Sequence, residues 1–325
     1  MRHFAIIPLL LLSLNLNACR NRSPSEQTQG LLEARQGYQT ELIPNSYQPD
    51  GSIPKPPNNI FKLVYYPSSS GQLAAYITPD PGDGKKRPAM LWAHGGFGGI
   101  GSWFWEPATP DNDQTAKAFR EAGIVLMVPS WRGENANPGK FELFFGEVED
   151  LLRARDYLAR LPYVDSERIY LAGHSTGGTL SLLAATAPAE FRAIFSFGGR
   201  PDVSLVVADG EGYGNTPFDY RDREESRLRS AINFVGAIES PTFYFEGGDD
   251  YHEDAVKMEN LAKQHDVPFD TIIIAGGDHF DILAPITALL AEKILVEWET
   301  GQPVQIDEAE IQQEFNGFFD TKKDD

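Results

Sequence analysis

The chain of 325 residues has a single cysteine, Cys19. That excludes an intrachain disulfide framework and every paired-cysteine metal or redox spacing. It is also short of positive charge, with 28 Lys and Arg against 47 Asp and Glu and a formal net charge of −19. A chain of this balance repels a phosphate backbone and offers no basic stripe, so nucleic acid is not expected as a partner. Long apolar runs are scarce, and the one at the start, "FAIIPLLLLSLNL", holds 13 residues, below the roughly 20 that a membrane-spanning helix needs. No Walker loop or H-E-x-x-H occurs, and "YHED" and "DHFD" read as solvated acidic turns. Neither a metal nor a cofactor is expected.

The first residues read as a targeting segment, with Arg2 and His3 before the apolar run and "LNAC" after it. This resembles a bacterial lipobox, although Asn17 departs from the usual pattern. The resemblance implies cleavage before Cys19, diacylation of its thiol, and a lipid-anchored protein on the periplasmic or extracellular face of a cell envelope. An ordinary signal peptide or a plain membrane anchor is the alternative. A lone cysteine placed at the processing site favours lipidation. Loss of Arg2 would move the net charge from −19 to −20. Residues 1–18 are thus read as signal peptide and 19–59 as a Pro-, Ser-, Gln- and Asn-rich tether that partly drapes over the body.

What is present is enough for a large core: 41% apolar and 11% aromatic residues. From residue 60 to about 300, apolar runs alternate with helical patterns, which predicts a mostly parallel sheet with helices on both faces. Eight strands are expected, in "FKLVYYP", "GQLAAYITP", "RPAMLWAHGG", "AGIVLMVPSW", "RIYLAGHS", "FRAIFSFGG", "PTFYFEGG" and "DTIIIAGG". The first two are joined by a short turn and form an antiparallel hairpin. Helices are expected over 113–123, 146–162, 176–188, 251–266 and 283–299. The stretch 301–325 is an acidic tail, either a terminal helix packed by Ile306, Ile311 and Phe315 or a solvated end.

Sheets of this kind place their chemistry in loops at the carboxyl ends of strands. Three such loops carry Ser175, the pair Asp249 and Asp250, and His279, in that chain order. Ser175 lies in "RIYLAGHSTGG", on a turn into a helix, where Gly173 and Gly177 avoid clashes and free N–H groups favour negative charge. The plain alternative is a glycine-rich turn that happens to hold a serine. A serine hydroxyl attacks only when a histidine takes its proton and a carboxylate orients that histidine. Of the six histidines, His3 lies in the signal, His174 abuts the serine and points away from its Oγ, and His94 opens a glycine loop. His252 and His265 bracket a polar helix, which leaves His279. Asp250 is preferred to Asp249 because the two glycines and one more residue give the turn room to bring it back. "HGGFGG" at 94–99 supplies an oxyanion loop, with amides of Gly96 or Phe97 joining that of Thr176.

With these residues in place, "HGG", "PSWRGENANPG", "DLLRARDYLARLPYVDSERIYLAGHSTGG", "SPTFYFEGGDDYHEDA" and "GGDHF" resemble the catalytic domain of prolyl-oligopeptidase-like serine hydrolases, within the α/β-hydrolase fold. The resemblance spans about residues 60–298. It implies Ser175, Asp250 and His279 as the triad, and it implies a cap over the pocket near residues 200–240. Those peptidases carry an amino-terminal propeller, and only a short stretch precedes the first strand here.

The expected function is hydrolysis of an ester or amide, in a small molecule or short peptide, through an acyl-enzyme. The competing expectation is a non-catalytic binding protein on the same scaffold. Oligomeric state is not readable from the sequence.

Overall fold

The computed structural model describes residues 29–45, 47–49, 51–188, 190–204, 216–248 and 252–320. Cys19 and both aspartates at 249 and 250 lie outside them. The eight strands form one sheet: β1 (Lys62–Ser68), β2 (Gly71–Ile77), β3 (Arg87–Ala93), β4 (Val125–Pro129), β5 (Val164–His174), β6 (Ile194–Phe197), β7 (Thr242–Gly247) and β8 (Phe269–Ile274). Their spatial order is β1-β2-β4-β3-β5-β6-β7-β8. The β1–β2 hairpin and the β2–β4 pair are antiparallel, and the other pairs are parallel. This is the architecture of the α/β-hydrolase fold.

The strands carry apolar side chains on both faces, as a sheet covered on both sides requires. Ala89, Leu91 and Ala93 of β3 and Leu171 of β5 enter one core; Met90, Trp92, Tyr170 and Ala172 enter the other. The first core is closed by α1 (Leu31–Ala34), α3 (Gly146–Ala159), α4 (Thr176–Ala185) and α6 (His252–His265). The second is closed by α2 (Lys117–Glu121), α7 (Leu283–Thr300) and α8 (Glu308–Asp320). The period of two along each strand thus sorts residues between layers.

One helix differs from the expectation, and the segments outside the central sheet pack as follows. The helix expected over 113–123 is confined to Lys117–Glu121, because Ala116 adopts φ 52° and Asp113 accepts from the amide and hydroxyl of Thr115, closing a turn first. Within the stretch read as a cap, residues 223–227 form α5 (Arg223–Arg227) and residues 231–237 a 3-10 helix. Phe218, Leu228, Ala231 and Phe234 are buried in the α4-side core. In the stretch read as a tether, Leu31 is fully buried and Arg35 donates to the carbonyls of Leu228, Phe144 and Phe145. Its Tyr47 stacks on Phe141 at 4.4 Å. At the other end α8 packs Ile311 and Phe315 against the core.

Candidate active site

Strand β5 ends at His174 and α4 begins at Thr176, so the chain reverses direction at Ser175 alone. Ser175 adopts φ 56° and ψ −115°, a conformation that costs a non-glycine residue on the order of 1–3 kcal/mol and persists only where the surroundings over-determine it. They do so here. The Ser175 amide donates to Phe197 O at 2.8 Å on β6, and its carbonyl accepts from the Thr179 amide at 2.9 Å. A Cβ on Gly173 would stand 2.3 Å from Gly177 O, and one on Gly177 would stand 2.0 Å from Ala93 O. The two glycines flanking the serine are therefore needed because backbone crosses backbone at this point.

The glycine loop after β3 meets the same turn. Thr176 donates from Oγ1 to Gly96 O at 2.8 Å, tying the residue after Ser175 to the loop. Phe97 is half-buried and packs on Phe141 and Phe144, with ring centroids 5.0 and 5.8 Å away. The loop at Gly96 and Phe97 thus lies against Thr176 at the amino end of α4, where the helix dipole favours an anion.

The β8–α7 loop brings in His279. Its ring lies 4.6 Å from that of His174 and against Gly198, where a Cβ would stand 2.3 Å from its Cε1. Gly198 follows Phe197, whose carbonyl holds the Ser175 amide, so the serine turn and the imidazole share one neighbour. A carbonyl only accepts, so the contact of His174 Nε2 with His279 O at 2.9 Å fixes the proton of His174 on Nε2. Burial, with a smaller contribution from His279, pushes His174 down to about 3, so its ring is neutral and is spent on that hydrogen bond. Asp278 and Asp281 shape the loop. Asp278 accepts from the amides of Phe280 and Asp281, and Asp281 accepts from that of Asp278. His265 is exposed, His252 half-buried, and His94 is buried beside Glu134.

The structure thus gathers Ser175, Thr176, Gly96, Phe97 and His279. Asp250, the expected acid, and its alternative Asp249 lie outside the described residues. Strand β7 pairs with β8, and Gly247 lies tight against Asp278 backbone, so the turn after β7 leaves from beside the histidine loop. A family model described as "Prolyl oligopeptidase family" matches residues 110–292, more than half the chain. The chain belongs to the prolyl oligopeptidase family.

Relatives of this family member include the "Uncharacterized peptidase YtmA" of Bacillus subtilis, 23% identical over 70% of this chain and 90% of that protein. Another is "Dipeptidyl-peptidase 5" of Porphyromonas gingivalis, 25% identical over 68% of this chain and 34% of the relative. The chain therefore spans about a third of that dipeptidyl-peptidase. Among solved structures, a hyperthermophilic esterase from Pyrobaculum calidifontis superposes with a TM-score of 0.54 at 18% identity, covering 74% of this chain and 87% of that one. Peptidases and an esterase thus stand among the likenesses, and membership of the prolyl oligopeptidase family places the chain with the hydrolases.

Two residues that hold this family member's glycine loop after β3 escaped the sequence reading. Glu134, buried, accepts from the amides of Gly98 and Trp131 and meets His94 Nε2 at 3.2 Å. Asn135 accepts from the Ile100 amide at 2.6 Å and donates to Ile100 O at 3.1 Å. Both sit in "PSWRGENANPG", after β4. The signal was a polar Glu-Asn pair in a loop that follows a fully apolar strand.

Proposed function

We propose that the protein is a serine hydrolase that cleaves an ester or amide through an acyl-enzyme. Ser175 is the nucleophile, His279 its general base and Asp250 the orienting acid, with amides of Gly96, Phe97 and Thr176 holding the oxyanion. The observation that carries this reading is the strained Ser175 between β5 and α4 with the imidazole of His279 packed against Gly198, beside Phe197. In this reading Oγ attacks the carbonyl while His279 takes its proton, and those amides receive the negative charge, a contribution of roughly 3 kcal/mol per donor. The proton passes to the leaving group, and water then releases the acyl group by the same route in reverse.

Peptides and small esters are both within this proposal, since one chemistry serves both and the relatives named include both kinds of enzyme. A diacylated Cys19 would hold the protein on a cell envelope, with the catalytic body facing away from the membrane. A fluorophosphonate probe tests the nucleophile: wild type takes the label and Ser175→Ala does not, and equal labelling of the two would sink the assignment. Turnover of short-chain acyl esters against aminoacyl and dipeptidyl amides then sorts the substrate class. Loss of acyl label in Cys19→Ser tests the anchor.

A further inference from the structure

Strand β7 reads Thr-Phe-Tyr-Phe-Glu-Gly and is buried along its whole length. Its one ionisable carboxyl, Glu246, is fully buried at the strand's carboxyl end, one residue before the chain leaves the sheet. The side chain accepts from Tyr244 Oη at 3.2 Å on Oε2 and from the Gly247 amide at 3.1 Å on Oε1. Oε1 also stands 3.5 Å from Nδ1 of His279. Among the described residues, no Lys or Arg pairs with Glu246, and His279 is the one group able to carry positive charge within ion-pair distance.

A carboxylate taken out of water without a cation is among the costliest groups a core can hold. A buried carboxyl at the tip of an apolar strand therefore calls for a use, and the proposed mechanism assigns it none. The packing around it is shaped to admit it. Gly198 has φ 59°, and a Cβ there would stand 2.5 Å from His279 Nδ1 and 3.0 Å from Glu246 Oε2. Any side chain at 198 would enter the space that the imidazole and the carboxylate share. The 3.5 Å separation is an ion-pair distance beyond hydrogen-bond length, so Glu246 acts on the ring through charge and leaves the Nδ1 hydrogen bond to another acceptor.

We propose that Glu246 is a positioning residue for His279, a second carboxylate that stabilises the imidazolium from the Nδ1 side while Ser175 is being deprotonated. This rests on the reading of Ser175 and His279 given above. No bond to Glu246 forms or breaks: the proton leaves Ser175 Oγ, resides on the imidazole, and goes on to the leaving group. The attraction between the carboxylate and the ring is greatest when the ring is charged, which is the condition for lowering a barrier.

The test is the rate at which a fluorophosphonate modifies the serine, followed over probe concentration so that maximal rate and half-saturation separate, in wild type, Ser175→Ala, His279→Ala, Glu246→Gln and Tyr244→Phe. Glu246→Gln keeps the size and the Oε1 acceptor and removes the charge. Its maximal rate is expected to fall by roughly 10- to 100-fold with half-saturation within about twofold of wild type. A merely structural role would instead lower thermal stability and leave the maximal rate of the folded fraction unchanged. Tyr244→Phe removes one hydrogen bond that fixes the carboxylate, and the expected drop in maximal rate is about threefold to tenfold. If Ser175→Ala or His279→Ala labels as wild type does, the underlying site assignment fails and this proposal falls with it. If those two are inert and Glu246→Gln labels within twofold of wild type, the proposal alone is overturned. Should Glu246→Gln not fold, Tyr244→Phe decides, and a maximal rate within twofold of wild type overturns the proposal.

Discussion

His174 donates from Nε2 to the backbone carbonyl of His279 at 2.9 Å, so the residue immediately before Ser175 holds the loop that carries the proposed base. The end of β5 and the loop after β8, far apart in sequence, are thereby fixed to each other beside the proposed reacting groups. Replacement of His174 by Phe keeps a ring in the buried space and removes the donor. The turnover number is expected to fall about 10- to 100-fold, the size of effect that a misplaced general base produces. Gln, which can present an amide N–H to the same carbonyl, is expected to recover part of it. Steady-state kinetics of the two variants check this, and a Phe variant as active as wild type would show that the loop is held by other means.

Glu134 and Asn135 invite a second prediction. Both lie away from Ser175 in sequence and neither is expected to touch substrate, yet they hold the proposed oxyanion loop through Gly98 and Ile100. Asn135→Ala leaves the Ile100 amide and carbonyl without their partner, inside a buried turn. An oxyanion loop that shifts by about 1 Å loses on the order of 100-fold in rate. Hydrolysis by Asn135→Ala is therefore expected to drop to between about a tenth and a hundredth of wild type, read as turnover of an activated ester, with the far-ultraviolet circular dichroism unchanged.

How far the sequence revealed this arrangement depends on what each feature needs. The strands are legible because apolar runs such as "RPAMLWAHGG" and "PTFYFEGG" carry their own evidence, and the serine turn because glycines at 173 and 177 mark a place where backbone crosses backbone. Helix α2 is shorter than its sequence pattern predicts because apolar spacing does not reveal that Asp113 captures Thr115 and closes a turn first. Glu246 does not stand out in the sequence because a terminal strand residue reads as an edge, whereas the sheet places it against a loop 33 positions later. Arg35 lies in a stretch whose composition reads as a linker. Its partners are carbonyls 109 to 193 residues away, and no local pattern announces a bond of that separation.

Arg35 supports a third prediction. Its guanidinium is almost fully enclosed and donates to Leu228 O, Phe144 O and Phe145 O, and it lies 4.5 Å from the centre of the Phe145 ring. Truncation strands three buried acceptors and leaves a cavity. Arg35→Ala is expected to destabilise the fold by about 3 kcal/mol, from hydrogen bonds to a charged donor at roughly 1.5–3 kcal/mol each with partial recovery by water. Urea unfolding followed by tryptophan fluorescence measures it. A loss below about 0.5 kcal/mol would mean that the segment around Leu31 and Arg35 adds nothing to the folded body.

Two buried groups give stability opposite dependences on pH. Burial, with Glu142 adding to it, pushes Glu147 up to about 8 from an ordinary 4.5, so the folded state holds a proton that the unfolded chain has released across that window. Its stabilisation is complete below pH 4.5 and is lost as pH rises through about 8. His174, held down at about 3 from an ordinary 6.5 by burial and by His279, works the other way. Its stabilisation is complete above pH 6.5 and is lost as pH falls through about 3. Glu147→Gln removes the first dependence while keeping an oxygen for the Glu142 amide, which donates to Glu147 Oε1 at 2.7 Å. The variant is expected to be more stable than wild type at pH 8.5 by about 1 kcal/mol or more and near-equal at pH 5. Urea midpoints at the two pH values decide it, and a difference independent of pH would place the origin of the effect elsewhere than in the ionisation of Glu147.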